Sequence, residues 1–159
     1  MTTGSGRRSP LRYAEDGEVH KDFHLATDTS ISWILGNYGE SFLAELFRRT
    51  AEDVYADIHR RLKMGDGSEL VAHWRYFLER EGGVFDISEE NGATRLHVRD
   101  CPAARHLQDR GRSVSREFHL QTSLMNEAWS RGTPFEISTE LLGDCECLIT
   151  LRRRADAAE

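Results

Sequence analysis

Cys101, His119 and Cys147 are three residues of this 159-residue chain whose types suit one and the same chemistry. Cys101 stands directly before Pro102, His119 lies in "EFHLQT", and Cys147 closes the "GDCEC" of Gly143 to Cys147. Soft thiolates and an imidazole suit zinc or another divalent metal, and three protein ligands leave a fourth position for an activated water. Cys145 could replace Cys147 in such a set, and His106 could replace His119. The same residues have a plainer reading. Free cysteine is among the most buried residue types, so all three thiols could be small core groups. No C-x-x-C pair decides between the two.

A second constellation, "HKDFHLATD", places His20, Asp22 and His24 ahead of the first apolar repeat. In an extended segment residues two apart share a side, so Asp22 could orient His24 as a general base. The alternative is a solvated helix start with Phe23 as its packed residue. His59 and His73 sit among charged residues, and His97 shares a strand face with Arg95 and Arg99; all three read as exposed. No glycine-rich phosphate loop, G-x-S-x-G or H-E-x-x-H occurs, so nucleotide-binding, serine-hydrolase and zincin readings lack support.

The elements that must position these groups follow from the apolar periods. Ile31, Ile34, Leu35 and Tyr38 predict a short helix over 29–38, capped by Asp28 or Thr29 and ended at Gly39. Phe42, Leu43, Leu46, Phe47, Thr50, Val54, Ile58 and Leu62 step by threes and fours and predict one long helix over 42–62. Ser68 can cap a third, which buries Leu70, Val71, Trp74, Phe77 and Leu78 and stops at Gly82-Gly83. The period then becomes two. "VFDIS" and "TRLHVRD" flank Asn91-Gly92, a hairpin signal, so antiparallel strands are predicted near 84–88 and 94–100.

Pro102 opens a helical turn, "PAARHLQD", and a further helix is predicted from about 114 to 131, ended by Gly132 and Pro134. "FEISTELLGD" and "CECLITLRR" alternate again and predict a second hairpin, with Cys145, Cys147, Ile149 and Leu151 on one inward face. The pattern is that of an α+β fold: one domain over 19–153, an antiparallel sheet of two hairpins covered by about four helices, with polar tails at 1–18 and 154–159. If the hairpins share one sheet, Cys101, His119 and "GDCEC" can meet at one place.

Composition narrows the partners. The formal net charge of -6 argues against a general phosphate-binding surface. No apolar run approaches the ~18 residues needed to span a bilayer. The N-terminal "MTTGSGRRSPLRYAEDGE" has arginines but no apolar segment of a secretory signal, so a cytoplasmic location is expected. In that compartment three cysteines do not make a disulfide framework.

"DFHLATDTSISWILGNYGESFLAELF", "EGG" at Glu81 to Gly83, "VRDCPA" and "GDCEC", in that order, resemble the L-2-amino-thiazoline-4-carboxylic acid hydrolase family. The resemblance implies a Cys-Pro after the first hairpin, a Cys near the start of the next helix and a Gly-Asp-x-x-Cys in the last hairpin. Cys101-Pro102 and Gly143-Asp144 with Cys147 fit; His119 stands where the middle Cys is implied. That exchange keeps a metal ligand but removes a thiol nucleophile. The Gly-Asp-x-x-Cys ending also resembles 4-vinyl-reductase-like sensor domains.

The function expected is therefore a small-molecule hydrolase acting on a C–N bond of a cyclic amidine, thiazoline or similar heterocycle. A metal at Cys101, His119 and Cys147 would polarise water, with His24, oriented by Asp22, as acid or base. The alternative is a non-catalytic small-molecule-binding or sensor domain with a structural Cys/His site. A third option is a homodimer through the 42–62 helix, and neither nucleic acid nor membrane is expected as a partner.

Overall fold

The structure is a computed structural model that describes residues 20–155, so the tail expected over 1–18 and the end of the C-terminal one lie outside the described residues. Chain order is α1 (Asp22–Tyr38), α2 (Glu40–Arg49), α3 (Ala56–Lys63), α4 (Ser68–Glu81), β1 (Val84–Glu90), β2 (Ala93–Asp100), α5 (Pro102–Asp109), α6 (Leu120–Ser130), β3 (Phe135–Leu141) and β4 (Cys147–Arg153). The fold is α+β. Both hairpins enter one antiparallel sheet with strand order β1-β2-β4-β3.

Asn91 (φ 50°) and Gly92 (φ 72°) both take positive φ, the conformation that a two-residue hairpin turn requires. That turn sets the register of the first hairpin, with Ile87 opposite Leu96 and Phe85 opposite Val98. The second pairing continues it: Leu96 faces Ile149 and Val98 faces Cys147. Since strand side chains alternate, these residues lie on one face, where they pack with Leu70 and Trp74 of α4 and Ala128 and Trp129 of α6. The opposite face carries Asp86 and Arg99, paired at 2.7 Å and both exposed.

The helical half differs from its sequence pattern in three places. First, α1 begins at Asp22, seven residues ahead of the expected start. Second, the helix expected over 42–62 is broken by a π-helical turn at Thr50–Val54, closed by the Tyr55 N–H bonding to the Thr50 carbonyl at 3.0 Å. The wider turn shifts the helical phase, so Leu43, Ile58 and Leu62 are fully buried while Phe42, Leu46 and Val54 are exposed. Third, the helix expected from 114 starts only at Leu120, after a single 3-10 turn at Glu117–His119. Among the described residues no helix is long and apolar enough to cross a membrane.

Candidate functional site

Helix α4 presents Trp74, Phe77, Leu78 and Glu81 at the i, i+3, i+4, i+7 spacing that puts side chains on one face. This stripe does not close onto the sheet along its whole length. Between α2, α4, α6 and the inner face of the sheet lies a cavity of about 420 Å³. Phe47, Met125 and Trp129 wall its helical side, and Leu96, Val98 and Ile149 its floor. Thr50 and Tyr55, at the two ends of the π turn, also reach it. Tyr55, His73 and Trp129 stand edge-on to one another with ring centroids 5.1 to 5.8 Å apart. The indole Nε1 of Trp129 is a buried donor with no hydrogen-bond partner.

One end of the cavity is polar. Cys101, Cys145 and Cys147 line it together with His119 and Glu81. The sheet explains the meeting. Strands β2 and β4 are neighbours, and where their ladder ends the Cys101 N–H donates to the Cys145 carbonyl at 2.8 Å. Pro102 then turns the chain into α5, with Cys101 as its N-cap residue. Cys145 itself lies in the bend ahead of β4 rather than in the strand, and its Sγ is 3.5 Å from Gln108 Oε1.

Burial governs the chemistry of the thiols. It pushes the Cys147 thiol up to about 12, with Cys101 and Glu146 adding to the shift. Cys101 is also raised by burial, against hydrogen bonds from the Ala104 and Ala103 amides that favour its thiolate, while Glu81 and Asp100 act with burial. Cys145 is raised for the same first reason. His119 is shifted the other way: burial lowers its pKa, against the carboxylate and backbone of Asp144, so its imidazole is neutral at neutral pH.

The structure brings Cys101, His119 and Cys147 to one wall of the cavity. Among the described residues no group of three or more His, Cys, Asp or Glu side chains is placed to hold a metal ion. Zinc takes thiolates. The thiols that burial keeps protonated would each have to give up a proton to such an ion. A direct consequence concerns reactivity. Because the thiolate is the nucleophile, Cys147 is expected to react with iodoacetamide at pH 8 more than a hundredfold more slowly than an ordinary thiol with a pKa of about 8.5. Timed alkylation read by peptide mass spectrometry checks this; labelling of Cys147 at the free-thiol rate would contradict it.

Asp22 and His24 are not arranged as the sequence suggested. Both lie on α1, where residues two apart point to different sides, so Asp22 does not orient His24. Asp22 is exposed and pairs with His106 Nε2 at 3.1 Å and Arg110 at 3.0 Å. His24 is buried, with Nε2 2.7 Å from Glu81 Oε2. Lys21 Nζ donates to the Glu81 carbonyl at 3.0 Å. Glu81 is the functional candidate that sequence reasoning missed. The available signal was an acid at the last position of an apolar helical stripe.

The other histidines expected to be exposed are not. His59 is 5% exposed, with Nε2 3.3 Å from the Arg131 carbonyl. His73 is half-buried on the cavity wall. His97 is half-buried on the outer face of the sheet, where its Nε2 lies 2.7 Å from Glu146 Oε1. Comparison of the chain with family models, with curated proteins and with solved structures finds no match.

Proposed function

We propose that the protein binds a small, largely apolar molecule between its helices and its sheet. The observation that carries this reading is the cavity. Its volume of about 420 Å³ falls in the usual range for small-molecule sites, and its walls are aromatic and aliphatic with a few polar groups at one end. The unpartnered Trp129 Nε1 supports it, since buried donors are almost always satisfied. A hydrolytic role for the same cavity, on a cyclic amidine, is favoured by the place of His119 on its wall, where burial lowers the pKa of the imidazole.

Naphthylmethanol, a neutral bicyclic probe, is expected to bind with one-to-one stoichiometry by isothermal titration calorimetry. Thr122→Phe places added bulk at a half-buried lining position of α6. It should weaken binding by about tenfold or more, equivalent to at least ~1.4 kcal/mol, while keeping the unfolding midpoint. Unchanged affinity in Thr122→Phe, or no saturable binding to the parent protein, would overturn the reading. His119→Gln separates the two roles: the probe still binds in both, and turnover of aminothiazoline is lost only if the site is hydrolytic.

A further inference from the structure

We propose that the ligand of this cavity carries a cationic or N–H-donating end, received by the carboxylate of Glu81, and that carboxylate ligands are rejected. The inference rests on the reading of the cavity as a small-molecule site and adds the charge class of its occupant.

Among the described residues no Lys or Arg side chain lines the cavity, so none of them offers an anionic ligand a counter-charge there. Of the two acids on its wall, Glu146 is paired with His97 on the other face of the sheet. Glu81 is left as the buried acid of the polar end, its side chain 8% exposed. His24 occupies Oε2 at 2.7 Å. A carboxylate offers about four acceptor positions, so one imidazole does not saturate it. Lys21, the nearest ammonium in contact with this residue, is turned to the main-chain carbonyl of Glu81 and is not part of the wall.

Burial is the first cause of the raised thiols, and neighbouring carboxylates add to it: Glu81 and Asp100 at Cys101, Glu146 at Cys147, and Asp100 and Asp144 at Cys145, where Arg105 opposes them. Carboxylates that disfavour a thiolate favour a nearby cation, as Asp144 does for His119, whereas burial works against both charged forms. The cavity wall also includes Phe77, one turn before Glu81 on the same helix, and Phe118, beside His119. Aromatic faces attract an organic cation while accommodating its apolar body. A protonated amine or cyclic amidine on an aromatic or aliphatic skeleton satisfies all of these walls. A carboxylate would be buried without a partner.

Three probes with the same ring system test the inference: naphthylmethylammonium, naphthylmethanol and naphthoate. The ammonium is expected to bind about tenfold more tightly than the alcohol, and naphthoate about tenfold more weakly or not at all. Glu81→Gln, which keeps an acceptor for His24, should remove the advantage of the ammonium and leave the alcohol within about threefold of its parent affinity. If the alcohol binds but the ammonium binds no better, or the order survives in Glu81→Gln, this inference is overturned and the cavity reading stands. If none of the three binds, the cavity reading itself fails. Should Glu81→Gln not fold, the order of the three probes on the unmodified protein decides the matter alone.

Discussion

Phe118→Ala is expected to lower folding stability by about 3–5 kcal/mol. Phe118 sits in the 3-10 turn ahead of α6, 2% exposed, and packs on Ala104 and Leu107 of α5, both fully buried. This small cluster joins α5 to the rest of the protein, and Leu25, Val114 and Cys145 close around it. Phe118 is also on the cavity wall. Truncation therefore adds new empty volume to space that is already open, and the walls have little freedom to collapse into it. Since a domain of this size has a total stability of roughly 5–15 kcal/mol, the loss is a large fraction of the whole. Urea unfolding monitored by circular dichroism measures it, and a loss below about 1 kcal/mol would show that the cluster is not packed as described.

Glu81→Ala carries the second large effect, a loss of about 3 kcal/mol or more. The side chains of Glu81 and His24 are each 8% exposed, and the bond between them is 2.7 Å long. Removing the acid leaves a buried imidazole without its partner, which costs more than the pair contributes when intact. The asymmetry is testable. The double variant His24→Phe with Glu81→Leu exchanges the pair for apolar groups and should recover most of the stability lost by Glu81→Ala. A thermodynamic cycle in which the two sites behave additively would show that they are not coupled.

Local signals were readable in the sequence. Asn91-Gly92 specifies its hairpin through backbone conformation alone, and Gly82 (φ 73°) ends α4 in the left-handed conformation expected of a helix-ending glycine. The alternation of β4 correctly placed Ile149 and Leu151 inside. Other features depend on partners far along the chain. Glu81 meets His24 across 57 residues, and His59, whose charged neighbours in the chain suggested exposure, meets the Arg131 carbonyl across 72. The π turn was invisible for a different reason. Apolar residues continue at threes and fours through Thr50–Val54, and a periodic pattern cannot reveal a widened turn inside it. The start of α1 was missed because no side chain of the N-cap residue, Lys21, caps the helix.

An apolar probe has a rival surface among the described residues. Trp33, Tyr38 and Phe42 are each more than half exposed and touch in series, with centroids 5.4 and 4.9 Å apart. Intermolecular nuclear Overhauser effects between naphthylmethanol and the protein separate the two locations and test the central claim most directly. The account predicts cross-peaks from the probe to the methyl groups of Met125, Leu96 and Ile149, which line the cavity. Cross-peaks confined to Trp33, Tyr38 and Phe42 would place the probe on the outer surface of α1 and α2 and contradict the account.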